Sequence, residues 1–123
     1  MKNRAALLAG LSLASVALAA GTARAADGAM LFKANCTVCH SAEAGQNKIG
    51  PSLFGIVGRK SGTAPGYTYS EAMSKAGLTW DPGTLDKYLA DPHAVVPNTK
   101  MAFLGVKKAE DRKAIIDYLG SLK

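Results

Sequence analysis

Cysteine is scarce in this chain, which has only two, Cys36 and Cys39, among its 123 residues. This excludes the disulfide framework that stabilises many small exported domains. A bond between these two residues would close a very small loop and add little stability. Dense clusters of lysine and arginine are also missing, so we expect no binding to nucleic acid. No segment alternates between apolar and polar residues, so we expect no β-sheet.

The first 25 residues have the layout of a secretory signal peptide. Lys2 and Arg4 precede an uncharged stretch from residue 5 to residue 23, and Ala23-Arg24-Ala25 places small residues at a cleavage site. The alternative is an uncleaved membrane anchor, because a stretch of this length could nearly span a bilayer. We favour cleavage, since alanine dominates the segment, and predict that residues 1–25 are removed and that residues 26–123 form one soluble periplasmic domain.

The charge of the remaining chain is modest. Without the three bases of the signal, twelve bases face nine acids, which gives a formal charge of +3. A mildly basic surface favours acidic partner surfaces. A domain this short also has a thin core, and a large bound apolar group would help to fill it.

Caps and apolar periodicity predict three clear helices. Asp27 would cap a helix that runs up to the cysteines, and Asp81, followed by proline, would cap a second that stops at the next Asp-Pro pair. A third would begin near residue 108 or 109. We expect a weaker helix or turn over 70–76, and mostly loop over 41–68, which is rich in Gly, Pro, Ser and Thr.

The strongest motif is Cys36-Thr37-Val38-Cys39-His40, which is typical of c-type haem attachment. Two thiols one helical turn apart can add to vinyl groups on one edge of a porphyrin, and the next residue then lies beneath the ring. The competing interpretation is a thioredoxin-like thiol oxidoreductase, which expects a strand before the motif and an α/β pattern after it. Neither is present. We therefore predict one haem c, bound covalently by Cys36 and Cys39, with His40 on the iron.

The ligand on the other side of the iron decides between an electron carrier and a catalyst. After the signal, the candidates are Met30, Met73, Met101 and His93. Met30 and Met73 are interpreted as packing residues. Met101 lies in a loop that could cross the far face of a porphyrin, but spacing alone leaves Met101 and His93 as open alternatives.

From Gly28 onwards, the chain resembles class I cytochromes c of the mitochondrial type and their short bacterial relatives. The matching residues are Gly28, Phe32, the Cys36 to His40 motif, Gly50-Pro51, Gly58-Arg59-Lys60, Pro65-Gly66-Tyr67-Thr68-Tyr69, Trp80, Tyr88-Leu89, Pro97, Thr99-Lys100-Met101, Phe103 and Tyr118-Leu119. The resemblance implies an all-α fold of few helices and long loops around one haem. It also implies a one-electron carrier that is not an enzyme, with Met101 as the second axial ligand.

The resemblance further assigns roles around the haem. Pro51 would offer a carbonyl to the His40 ring. Arg59, Tyr69 and Trp80 would lie near the haem propionates, and Tyr88 near Met101. Gly28 and Phe32 would meet Tyr118 and Leu119 where the first and last helices cross. The implied haem-binding set is Cys36, Cys39, His40, Pro51, Arg59, Tyr69, Trp80, Tyr88, Thr99 and Phe103, with His40 and Met101 on the iron.

Two departures from the family pattern bear on function. Met73 stands where relatives often have an asparagine, which puts the polar network beside the haem in question. The ring of lysines around the haem edge is thinned, because Asn35 and His93 replace two of them, while Lys48, Lys100, Lys107 and Lys108 remain.

The implied partners are membrane-bound redox complexes, onto which a monomeric carrier docks transiently through Lys48, Lys100, Lys107 and Lys108. They are a quinol–cytochrome c reductase on one side, and an oxidase, a photosynthetic reaction centre or a periplasmic dehydrogenase on the other. The alternative function is a peroxidase-like or gas-sensing haem protein in which Met101 is displaced.

Overall fold

The computed structural model describes residues 26–123, so the predicted signal peptide lies outside the described residues. The described helices are α1 (Gly28–Asn35), α2 (Glu71–Lys75), α3 (Pro82–Ala90), α4 (Pro92–Val95) and α5 (Ala109–Ser121). Within this range no strand forms, and one isolated bridge pairs Lys60 with Thr79. None of these helices has the length and apolar character needed to cross a membrane. The all-α prediction is confirmed.

The predicted helix caps are present. The Asp27 carboxylate accepts hydrogen bonds from the first turn of α1, at 3.1 Å and 3.2 Å. Asp81 accepts one from the Thr84 amide at 2.8 Å, and Ser70 caps α2 in the same way. These side chains satisfy amides that have no partner within their own helix, which is why the helices begin there.

Helix α4 was not predicted. The Asp-Pro pair at 91–92 was expected only to stop a helix, but it stops α3 and also begins α4. The Asp91 carboxylate accepts a hydrogen bond from the Ala94 amide at 3.2 Å, and Pro92 occupies the first turn, where its missing N–H costs nothing. The side chain of Pro92 is fully buried.

The core extends from the crossing of α1 and α5 to the buried residues of α3. Phe32 of α1 packs against the ring of Tyr118 with centroids 5.1 Å apart, as expected, and Ile115 of α5 is completely buried. A Cβ atom on Gly28 would lie 2.8 Å from the carbonyl carbon of Ala114, so only glycine permits this close approach. The crossing therefore brings together the two ends of the described chain.

The two methionines interpreted as packing residues differ in the structure. Met73 packs against the core, as predicted. Met30 does not: its side chain is 69% exposed, so that prediction was wrong. Met30 lies on the side of α1 that faces away from α5, and a one-turn apolar run could not reveal which side that would be.

The long segment between α1 and α2 is fixed by side chains that bind backbone groups. The Asn47 amide accepts from Ser52 N at 3.0 Å and donates to Pro65 O at 2.9 Å. The Tyr67 hydroxyl donates to Ile49 O at 2.8 Å. These bonds hold the residues around position 50 in a defined conformation without helix or sheet.

Candidate functional site

The two cysteines and His40 lie on one tight turn at the end of α1. The amides of Cys39 and His40 both donate to the Cys36 carbonyl, at 3.1 Å and 2.8 Å. Both cysteines are half-buried free thiols. The turn therefore presents two thiols and one imidazole together, as the motif predicted.

The environment of Cys36 disfavours the thiol oxidoreductase interpretation. Burial, with a smaller contribution from Cys39, raises the pKa of the Cys36 thiol to about 11. Redox-active cysteine pairs need the opposite, a thiolate stabilised by a lowered pKa. The raised pKa of Cys36 therefore argues against thiol redox chemistry at this pair.

The His40 ring is fixed by Pro51. His40 Nδ1 lies 2.7 Å from the Pro51 carbonyl oxygen, as the resemblance implied. A carbonyl can only accept, so Nδ1 carries the proton and Nε2 keeps its lone pair. Burial lowers the pKa of His40, although the bond to Pro51 opposes this. The imidazole is therefore neutral and can ligate a metal through Nε2.

Gly50 gives the His40 ring its space. A Cβ atom at this position would lie 2.7 Å from His40 Nδ1, closer than real contacts allow. The Gly50 amide donates to the Cys39 carbonyl at 2.7 Å, which holds the backbone against the ring. The sequence identified Gly50-Pro51 as part of a pattern, but no single-sequence signal reveals that a ring occupies the side-chain position of Gly50.

Met101 lies beside the buried aromatic residues of α3 and the segment before it. The Tyr88 hydroxyl donates to Met101 Sδ at 3.1 Å, and the Trp80 and Tyr88 ring centroids are 4.8 Å apart. Burial raises the pKa of Tyr88, so its hydroxyl remains a donor. The Met101 amide donates to the hydroxyl of buried Thr99 at 3.3 Å. The expected contact between Tyr88 and Met101 is present.

His93, the alternative candidate for the second ligand, is more exposed than Met101. His93 lies on α4 next to buried Pro92, and its side chain is exposed. Met101 is half-buried.

Arg59 contains an unsatisfied polar atom. Its two terminal nitrogens donate to the carbonyls of Phe54 and Ser52, at 3.2 Å and 3.4 Å. Its Nε is buried and has no hydrogen-bond partner in the described part of the chain. Such a donor is costly to bury, so it indicates an acceptor outside the protein atoms. The Arg59 carbonyl accepts from the Trp80 amide at 2.9 Å, which joins Arg59 to the aromatic group around Tyr88.

A model of the cytochrome c family matches residues 25–123. This chain belongs to the cytochrome c family. Cytochrome c2 iso-2 of Magnetospirillum molischianum is 56% identical over 88 residues, which cover 72% of this chain and 91% of that protein. Cytochrome c2 of Rhodopila globiformis is 48% identical over 97 residues, covering 79% and 92%. The solved structure of cytochrome cH from Methylobacterium extorquens is 42% identical, with a TM-score of 0.71, and the match covers 78% of this chain and 99% of that one.

Membership of the cytochrome c family makes this chain a haem-containing electron carrier and not an enzyme. The family binds a covalent haem c with iron, and the residues present fit that group. Cys36 and Cys39 provide two free thiols, His40 provides a neutral imidazole, and the buried Nε of Arg59 lacks the acceptor that a haem propionate would supply. When bound, the haem supplies an iron that accepts and releases one electron.

Two other residues expected to bind haem, Tyr69 and Phe103, have fewer contacts with the residues described above. The Tyr69 hydroxyl accepts from the Ala64 amide at 2.9 Å, and its ring packs edge-on against Tyr67. No hydrogen bond of residues 26–123 joins Tyr69 to Arg59 or Trp80. Phe103 is half-buried two residues beyond Met101.

The four lysines assigned to docking are exposed on this cytochrome, but three of them have backbone partners. Lys48 donates to Thr37 O, and Lys100 donates to Thr68 O at 2.7 Å with its ammonium 4.8 Å from the centre of the Tyr67 ring. Lys107 donates to two carbonyls. Lys108 precedes α5. Within 26–123, the ion pairs involve other bases: Lys75, Arg112 and Lys113.

Proposed function

We propose that this cytochrome is a periplasmic one-electron carrier in which His40 and Met101 ligate the haem iron. The proposal depends chiefly on the Tyr88 hydroxyl, which holds Met101 Sδ at 3.1 Å among buried aromatic side chains. The rival ligand, His93, is exposed on α4. A ligand to a buried iron has to be presented from the interior, which favours Met101.

Ligation on both sides suits a carrier. An iron with His40 and Met101 in place has no vacant position for a substrate, and a thioether ligand raises the reduction potential. A peroxidase-like or gas-sensing function would require Met101 to be displaced. The hydrogen bonds at Tyr88 and Thr99 oppose that displacement.

The experiment replaces Met101 and uses an exposed methionine as the control. Met101→Ala should leave the haem attached, abolish the weak methionine-to-iron absorption band, lower the potential and allow carbon monoxide to bind. Met30→Ala, at a side chain that is 69% exposed, should change none of these properties. If the Met101 variant keeps its band and excludes carbon monoxide, Met101 is not the ligand, and His93→Ala should then be examined. Carbon monoxide binding by the unmodified reduced protein would instead favour the gas-sensing alternative.

We also propose that residues 1–25 are a cleaved signal, which would deliver the carrier to the periplasm. The basic start, apolar middle and Ala23-Arg24-Ala25 site support this. Mass spectrometry of periplasmic extracts should find a chain that begins at Ala26 with one haem added and no free thiol. Recovery of the intact N-terminus in the membrane fraction would contradict cleavage.

The proposed docking surface consists of Lys48, Lys100 and Lys108 with the exposed apolar side chains Val38, Ile49 and Leu104. The fourth lysine expected to dock, Lys107, is left out because its ammonium donates to two carbonyls of the chain. The three apolar residues are 74%, 74% and 79% exposed. Val38 follows the Thr37 carbonyl that accepts from Lys48, and Ile49 follows Lys48 in sequence. A few apolar contacts among bases suit a small, transient interface with an acidic partner. The partners would be a quinol–cytochrome c reductase and an oxidase, reaction centre or dehydrogenase.

Salt dependence tests this docking surface. Electrostatic steering is screened within roughly 10 Å at 0.1 M salt. Oxidation by one fixed oxidase, followed by stopped flow, should therefore slow as salt rises, and a Lys100→Gln/Lys108→Gln variant should lose most of that dependence. The matched control is Lys75→Gln/Lys113→Gln, which removes two charges that are already paired with carboxylates. If both double variants lose the same amount of salt dependence, only the net charge of the protein, and not this surface, controls its association with the oxidase.

A further inference from the structure

We propose that Lys107 is a positioning residue that anchors the segment 104–107, which we call the returning arm, to the end of α3 and so keeps Met101 in place beside Tyr88. This rests on the proposed ligation by Met101. It assigns Lys107 a different role from the neighbouring docking lysines.

The returning arm completes the C-terminus of α3. The last carbonyls of a helix have no partner within that helix. In α3, the Leu89 carbonyl accepts from the Val106 amide at 2.7 Å, and the Ala90 carbonyl accepts from Lys107 Nζ at 3.0 Å. A cation at this end of a helix also interacts favourably with its dipole. Lys107 therefore satisfies an acceptor that belongs to the helix and not to the loop.

The same ammonium closes the returning arm on itself. Lys107 Nζ also donates to the Leu104 carbonyl at 2.8 Å. One side chain thus joins the beginning of the arm to the last residue of α3. Two of its three N–H donors are used, which leaves little freedom to follow a docking partner.

The close approach needs Gly105. This residue has φ of 105°, and a Cβ atom on it would lie 2.7 Å from the Ala90 carbonyl carbon. The backbone of the arm therefore touches the backbone of α3 with no side chain between them. Lys107 can reach the Ala90 carbonyl because of this contact.

Arg112 of α5 supports the arm from the other side. Its Nη1 donates to the carbonyls of Val106 and Lys107, both at 3.0 Å, and its Nε pairs with Asp86 of α3 at 2.7 Å. The arm is consequently held between α3 and α5. Arg112 contacts only the end of the arm, so Lys107 is the side chain that fastens its beginning at Leu104.

The anchor lies close in sequence to the contact that holds Met101. Tyr88, which donates to Met101 Sδ, is followed directly by the two residues whose carbonyls accept from the returning arm. For Met101 to leave Tyr88, the loop that carries it has to lift from this end of α3. Loss of the Lys107 bonds should make that opening more frequent without changing the contact between Tyr88 and Met101 itself.

The test measures local opening in the haem-containing protein. Lys107→Met keeps the aliphatic stem and removes the donors. It should increase the rate at which imidazole binds ferric iron by about fivefold, equivalent to about 1 kcal/mol because tenfold corresponds to about 1.4 kcal/mol. Hydrogen exchange of the Val106 amide should accelerate by a similar factor, while the amide of Ile115 in the core should not change. Lys107→Arg keeps the cation and its donors, so its imidazole-binding rate and its exchange rate at Val106 should stay close to those of the parent protein.

Lys87→Met is the matched control. Lys87 is exposed in the last turn of α3, and its side chain makes no hydrogen bond or ion pair within residues 26–123. It places a charge near the same helix end without contacting the arm, so its loss should leave imidazole binding and Val106 exchange unchanged.

Equal effects of Lys87→Met and Lys107→Met would overturn the proposal, because charge alone would then explain both. Unchanged exchange at Val106 in Lys107→Met would overturn it as well. Failure of the ligand assignment looks different. In that case the parent protein lacks the methionine-to-iron band and Lys107→Met leaves imidazole binding unaltered, yet still accelerates exchange at Val106.

Discussion

Substitution of Gly28 by alanine should destabilise the domain, although alanine is ordinarily the better helix residue. Gly28 begins α1 where that helix crosses α5. The added methyl group would lie 2.8 Å from the Ala114 carbonyl carbon and 3.0 Å from Tyr118 Cβ. The carbonyl is backbone within a helix and cannot move aside as a side chain can. The two helices have to separate.

The expected cost follows from this overlap. Overpacking of a well-packed contact lowers the free energy of unfolding by about 1 to 3 kcal/mol. The better helix propensity of alanine offsets only a small part of this loss at the first helical position. We expect a net loss of about 2 kcal/mol. In a domain of about 100 residues, this lowers the melting temperature by roughly 8 to 16 °C.

Gly120→Ala is the control for this prediction. Gly120 also lies in a helix, α5, but a Cβ atom there would meet nothing within 4 Å. This variant should therefore gain up to about 0.5 kcal/mol from helix propensity alone. Thermal unfolding of the haem-containing variants Gly28→Ala and Gly120→Ala, followed by far-ultraviolet circular dichroism in one fixed oxidation state, distinguishes the expected loss from the expected gain in stability. A Gly28→Ala protein that melts at or above the parent temperature would refute the close approach of α1 and α5.

Three further substitutions examine the site. Gly50→Ala should push the His40 ring away from Pro51, lower the yield of haem-containing protein and introduce high-spin bands in its absorption spectrum; an unchanged spectrum would contradict the contact. Tyr88→Phe removes the hydrogen bond that the Tyr88 hydroxyl donates to Met101 Sδ, so the sulfur gives more electron density to the iron. The reduction potential should therefore fall by roughly 20 to 40 mV in voltammetry. An unchanged or raised potential would argue against that hydrogen bond. Gly105→Ala should lower the free energy of unfolding, measured with denaturant, by about 2 to 4 kcal/mol, because the alanine would have a positive φ and its Cβ atom would overlap the backbone of α3. A decrease below about 0.5 kcal/mol would show that the returning arm does not touch α3.

The features predicted correctly from the sequence are local ones. Asp27 and Asp81 identify helix starts because a cap and the amides that it satisfies lie within three residues of each other. The Cys36 to His40 motif identifies its chemistry for the same reason. Helix α4 was not predicted, because the same Asp-Pro pair that ends α3 also begins α4.

The features that were missed depend on contacts between distant segments. Met30 differs from Met73 in burial only because of how α1 packs, which a short apolar run does not encode. The close contact of Gly50 with His40 and the two bonds of Lys107 require knowledge of which backbone lies opposite each residue. The ligand roles of His40 and Met101 stay predictions until the spectra are measured.

The crossing of α1 and α5 has a consequence for the order in which this domain is completed. Phe32 lies close to the beginning of the described residues and its partner Tyr118 close to their end, so their contact closes a loop that contains most of residues 26–123. A chain that emerges from its N-terminal end, on a ribosome or through a translocation pore, exposes α1 long before α5 is available to cover it. Closing a loop of this length costs conformational entropy, and the contact cannot form before α5 is present. Cys36 and Cys39, at the end of α1, therefore emerge well before the helix that packs against α1.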